Sequence, residues 1–195
     1  MIRIALGFRV HTGWAAMVAI NGALPDLEVL KRKRVELLPA ASGMPRFVYH
    51  QASEMDLKAA GALVKEATEV VQRAAVQALR NVVKELGDVV AVGIPTSSAK
   101  PPENLKAILA SHSYIHSAEG QLFRQALIGA SNACGLQVVT VKERDLDELR
   151  RSVDGLGKKI GPPWSVDQKI ATAAALLSLQ SGRHELAKRS KARAR

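Results

Sequence analysis

The densest group of chemically able side chains is His112-Ser113-Tyr114-Ile115-His116-Ser117-Ala118-Glu119. On a continuous helix, positions i, i+4 and i+7 share a face, so two imidazoles and a carboxylate there can converge on a metal ion. Ser117 competes with that arrangement. As an N-cap it starts a helix at about residue 118 and leaves His112 and His116 in the preceding loop. Glu119 then sits in the first turn, where a carboxylate stabilises the helix dipole without binding anything. The segment follows the C-terminal side of an apolar run, Val89–Ile94, and ligands of open α/β sheets collect beyond such strand ends. His116 and Glu119 are therefore site candidates, and Asp167 is the third.

Arg9, His11 and Thr12 cluster at a turn near the start of the chain, with Trp14 just beyond. With Ser97 and His112 they form the expected rim of a pocket. Trp14 can cover the core or stack on a base, but aromatic residues make up only 4% of the chain, which favours the core. The hydroxyls of Thr96-Ser97-Ser98, with Lys100 nearby, suit a phosphate or carboxylate, or simply a strand-to-helix loop. Gly155-x-Gly157-Lys158-Lys159 follows a helix rather than a strand and lacks the rest of a nucleotide-binding loop. The single cysteine, Cys134, offers neither a disulfide nor a Cys-x-x-Cys pair, and it lies at the wrong end of a helix for a thiolate. No cofactor or resident metal is assigned.

These groups must be held by elements that the apolar pattern marks out. Residues 2–20 read as two strands joined by the Arg9–Trp14 turn. Leu27–Leu38 reads as a third strand, whose Lys31, Arg32, Lys33 and Arg34 suit either a protected sheet edge or a phosphate surface. Residues 39–53 read as loop, with Phe47-Val48-Tyr49-His50 packing locally. Apolar steps of three and four from Leu63 to Leu86 predict one long amphipathic helix over 54–86. Val89–Ile94 predicts a buried central strand. A helix over 118–134, a strand over 136–141, a short helix opened by an Asp145–Glu148 capping box and a last helix from about 166 to 179, capped by Ser165, complete the chain. Three consecutive strands followed by alternation predict an α/β fold with a mixed five-stranded sheet: three antiparallel strands, then parallel β-α units, flanked by helices.

The totals narrow the function classes. At 195 residues the chain suits one domain, expected over 1–181, with a basic and flexible tail over 182–195. No apolar run reaches the roughly 18–20 residues of a membrane span, and no secretory pattern opens the chain, so a bacterial-type cytoplasmic protein is expected. The net charge of +10 favours a polyanionic partner, nucleic acid or ribonucleoprotein. Lys188, Arg189, Lys191 and Arg193 concentrate that charge in the tail, leaving the body mildly basic.

The element order, the Thr12-Gly13-Trp14-Ala15 turn and the Asp167-Gln168-Lys169-Ile170-Ala171 start of the last helix resemble the ribonuclease H-like superfamily, nearest the bacterial Holliday-junction resolvases. The resemblance implies acids on the first strand, near the end of the fourth strand and on the last helix, together holding two magnesium ions that cleave phosphodiesters. Asp167 falls at the last-helix position. Leu6 stands where the first-strand acid is expected, and Val92-Gly93-Ile94 supplies none. One carboxylate cannot hold two divalent ions. The resemblance thus implies the fold without its usual catalysis. The leading expectation is a non-catalytic nucleic-acid-binding module using Lys31–Arg34 and the tail. The alternatives are a hydrolase or nuclease with one divalent metal at His116, Glu119 and Asp167, and a protein-interaction scaffold.

Overall fold

The computed structural model describes residues 3–97 and 99–193, with side chains as far as 181. Its five-stranded sheet has the order β3-β2-β1-β4-β5. The opening hairpin is β1 (Ile4–His11) and β2 (Trp14–Asn21), and β3 (Glu28–Glu36) joins β2 antiparallel at the sheet edge. On the other side β4 (Val89–Thr96) and β5 (Gln137–Lys142) run parallel to β1. This is the mixed sheet that the apolar pattern predicts. Gly13 turns the hairpin with a φ of 85°, and its carbonyl accepts hydrogen bonds from Leu37 and Leu38, anchoring the end of β3 to the turn.

Alternation along β1 divides the molecule. Ile4, Leu6 and Phe8 enter a core shared with α2 (Leu57–Leu86) and α4 (His112–Ala133). Ala5 enters the opposite core, against α7 (Val166–Arg193). Gly7, Arg9 and His11 have Ala5's parity, so they face α7. That helix lies directly on the sheet backbone. A Cβ added to Gly7 would fall 1.7 Å from the Ala171 carbonyl oxygen, and one on Gly93 2.0 Å from that of Ala174. The two strand glycines and the alanines of α7 are thus one device, a close approach that side chains would block. It sets the first turn of α7, with Asp167, over the C-terminal ends of the central strands.

Several element boundaries differ from those expected. The stretch expected as loop contains α1 (Val48–Ser53), and α2 begins separately because the Asp56 side chain accepts from the amides of Lys58 and Ala59. A short α3 (Leu105–Leu109) follows β4, with Asn104 accepting from the Ala107 amide. α4 starts at His112, not near 118, with Ser111 in the N-cap position. Ser117 instead donates back to the Ser113 carbonyl inside the helix. The Asp145 capping box does not form: residues 143–146 make a tight turn, and α5 (Asp147–Ser152) has Leu146 at its N-cap. The short α6 (Gly157–Ile160) follows. Ser165 and Gln168 do cap α7 reciprocally, at 3.4 and 3.1 Å. α7 runs on past Leu179 to Arg193, so the basic segment continues the last helix. The side chains of Lys188, Arg189, Lys191 and Arg193 lie outside the described ones. Among the described residues, no helix is long and apolar enough to cross a membrane.

Candidate functional site

Two groups of titratable side chains stand out, one on each side of the sheet. The first surrounds Asp167 at the start of α7. Arg9, on β1, donates from Nη1 to Asp167 Oδ1 at 2.5 Å and from Nη2 to Glu143 Oε1 at 3.0 Å. His11, two residues on, brings Nε2 to 3.1 Å from Asp167 Oδ2. Glu143 arrives directly after β5. Burial opposes the Arg9 charge, but hydrogen bonds and Coulombic attraction from Glu143 and then Asp167 outweigh it and raise the Arg9 pKa above its ordinary value. The guanidinium is held between two carboxylates, and both Asp167 oxygens have a partner.

This donor set does not fit the paired magnesium ions that the resemblance implies. Leu6 points into the α2–α4 core and is fully buried, so it is not the β1 position facing the last-helix acid. That position is Arg9. Its fixed cation stands beside the carboxylates that a divalent ion would need, and β4 ends in Ile94-Pro95-Thr96 without an acid. Sequence reasoning counted Arg9 only as a rim residue. The signal was available in the alternation: the odd residues of β1 end in a basic pair on the face of the last helix.

The second group lies beside α4. His112 and His116 are on one helix face, with their Nε2 atoms 2.9 Å apart. His50 of α1 joins them, its ring centroid 4.8 Å from that of His116 and 5.7 Å from that of His112. Glu119 is buried behind these rings. Its Oε1 accepts from the amides of Tyr49 and His50 at 2.7 and 3.2 Å and lies 3.2 Å from His50 Nδ1. Glu119 therefore caps α1, which has no side-chain cap of its own. Burial, and then repulsion from the Glu119 carboxylate, push the Tyr49 phenol up. The helix spacing of His112, His116 and Glu119 is realised, but His50 was missed because its partner is about 70 residues away in sequence.

The three expected catalytic residues are not brought together. His116 and Glu119 belong to the α4 group, whereas Asp167 is engaged by Arg9 and His11 under α7. A single-metal centre on His116, Glu119 and Asp167 is therefore not assembled. The expected rim divides in the same way. Arg9 and His11 join Asp167, and Thr12 lines a cavity of about 230 Å³ with Trp14, Arg34 and Arg46. Ser97 accepts locally from the Ala99 amide, and His112 faces His116.

The basic edge strand is partly committed as well. Lys31 pairs with Glu85 of α2. Arg32 donates to the carbonyls of Ile160, Gly161 and Pro163, fastening the 157–163 segment to β3. Arg34 pairs with Glu36 and holds its Cζ 4.0 Å from the Trp14 ring centroid. His11 stacks on the same tryptophan, with centroids 4.3 Å apart and planes 10° from parallel. Trp14 and Arg34 line both the Thr12 cavity and a neighbouring one of about 200 Å³ that reaches Lys33, Ser165 and Asp167. Trp14 is thus a half-buried platform between charged strands, not a core side chain.

The sheet order, its mixed polarity and the last helix packed across the central strands define a ribonuclease H-like α/β fold. Among solved structures, that of Thermus thermophilus RuvC in complex with Holliday junction substrate aligns with a TM-score of 0.54 and 13% identity, covering 89% of this chain and 90% of that one. A second structure of Thermus thermophilus RuvC aligns with a TM-score of 0.51 and 12% identity, over 90% of this chain and 92% of that one. No model of a known protein family matches the sequence, and no curated protein matches it.

Proposed function

We propose that the chain is a non-catalytic, ribonuclease H-like module that binds nucleic acid. The observation that carries this reading is the Arg9 guanidinium held between Asp167 and Glu143. A permanent cation at that place opposes the accumulation of divalent ions that phosphodiester cleavage on this fold requires. It also weakens the repulsion that the two carboxylates would exert on a phosphate. A carboxylate centre repels a phosphate until metal arrives, whereas a guanidinium and an imidazole beside it soften that repulsion.

Binding is supported by three features. The net charge is +10. The Trp14 ring, stacked on His11 and covered by the exposed Arg34 guanidinium, lines two adjoining cavities, and a base that displaces Arg34 would stack there. The structural neighbour was captured with a Holliday junction substrate. Lys31 and Arg32 are left out of the proposed contact surface because they tie β3 to α2 and to the 157–163 segment, whereas Arg34 pairs with Glu36 of its own strand. Lys33, Arg34 and the tail residues Lys188, Arg189, Lys191 and Arg193 remain in it. With nucleic acid or a ribonucleoprotein as partner, we place the protein in the cytoplasm.

The test is fluorescence anisotropy with labelled single-stranded, duplex and four-way-junction DNA at several salt concentrations. Affinity should fall steeply as salt rises, through counterion release. The double variant Trp14→Ala with Arg34→Ala should bind at least about 10-fold more weakly, since a stacked base is worth about 1–3 kcal/mol. No binding at low salt, or affinity indifferent to salt and to these side chains, would contradict the reading.

A further inference from the structure

We propose that His50, His112 and His116 form a binding site for a borderline divalent transition metal of the zinc class, independent of the Arg9–Asp167 region and of the nucleic-acid reading. One ligand nitrogen from each ring can be chosen so that all lie within 4.8 Å of one another. Ligands of a tetrahedral zinc ion at about 2.0–2.1 Å stand about 3.3 Å apart, so small ring rotations bring the three onto one centre. His112 and His116 are successive turns of α4, whose regular geometry holds their spacing.

The second observation is Glu119. Its side chain is 4% exposed and lies 3.2 Å from His50 Nδ1. A carboxylate in that place favours the tautomer with the proton on Nδ1 and leaves the Nε2 lone pair of His50 for a metal. The other carboxylate oxygen, Oε2, is buried without a hydrogen-bond partner. Oε1 thus orients the His50 ring, and an ion bound through His50 would extend the Glu119–His50 line. An all-imidazole set selects zinc, nickel, cobalt or copper over magnesium or calcium, which prefer oxygen. His112 and His116 are exposed, so a fourth coordination position faces solvent. An ion there would clasp α1 to α4, the contact that Glu119 already makes by hydrogen bonds.

The test uses the full chain without an affinity tag, titrated with Zn2+ against a chromophoric chelator and followed by thermal melting. One equivalent should bind. Zn2+ should raise the melting temperature, and Mg2+ at the same concentration should not. His112→Ala with His116→Ala removes two exposed ligands. It should weaken binding at least about 100-fold and abolish the zinc-dependent shift, while the metal-free melting temperature stays near that of the native chain. Should that variant fold poorly, Co2+ added to the native chain reports directly, because tetrahedral coordination gives strong visible bands that His50→Gln should remove. Binding no tighter than about 100 µM, or stoichiometric binding retained without the two α4 histidines, would overturn the proposal.

Discussion

The Arg9 guanidinium joins β1 to the start of α7 and to the end of β5 by its bonds to Asp167 and Glu143. Arg9→Ala leaves Asp167 and Glu143 without the cation between them, and it should cost about 1–2 kcal/mol, read as a shift in urea midpoint with an unchanged slope. Arg9→Asp replaces the cation with a third carboxylate. Mn2+ should then raise the melting temperature of that variant and leave the native chain unaffected. A smaller pair gives a pH signature. A hydrogen bond from Lys169, then attraction to Lys169 and Arg150, hold the exposed Asp154 carboxyl below its usual value. A lowered folded pKa means the pair's small contribution is fully present above the ordinary carboxylate range. It is lost as the pH falls through the lowered value. The stability gap between the native chain and Lys169→Met, measured by thermal melts, should be present at neutral pH and close in acid.

Among the elements, the glycines of the central strands carry the sharpest expectation. Gly93→Ala places a methyl group against the Ala174 carbonyl, where backbone rather than a flexible side chain must move. The cost should reach the upper end of the roughly 1–3 kcal/mol of overpacking or exceed it, and denaturant unfolding would show it. The elements legible in sequence were those whose cause is local. The hairpin declares itself by two apolar runs meeting at the turn that holds Gly13, the edge position of β3 by its basic run, and α2 by its apolar stripe. Those that were missed have distant causes. α1 depends on Glu119, about 70 residues away, for its N-terminal capping. α4 was expected to begin after Ser117, whose hydroxyl instead donates to the Ser113 carbonyl within a helix that begins at His112. For the same reason the site was half legible. The His112–His116 spacing was visible, whereas His50, and the role of Arg9 opposite Asp167, required the sheet and both helix layers to be in place.

At the scale of the whole molecule, the fold is ribonuclease H-like, and an internal ion-pair network of Arg9, His11, Glu143 and Asp167 stands where the resemblance implied a metal centre. The sheet separates the two titratable groups. α7 positions Asp167 against Arg9 and His11, while α1, α2 and α4 build the opposite layer with its histidine group. The net charge of +10 and the Trp14–Arg34 surface suit the nucleic-acid partner proposed above. The most direct test of that claim is a titration of end-labelled four-way-junction DNA with the full chain in Mg2+ or Mn2+, each sample divided between native and denaturing gels. Retarded complex with every strand intact is the predicted result. Strand scission by the purified chain that disappears in Asp167→Asn would contradict it.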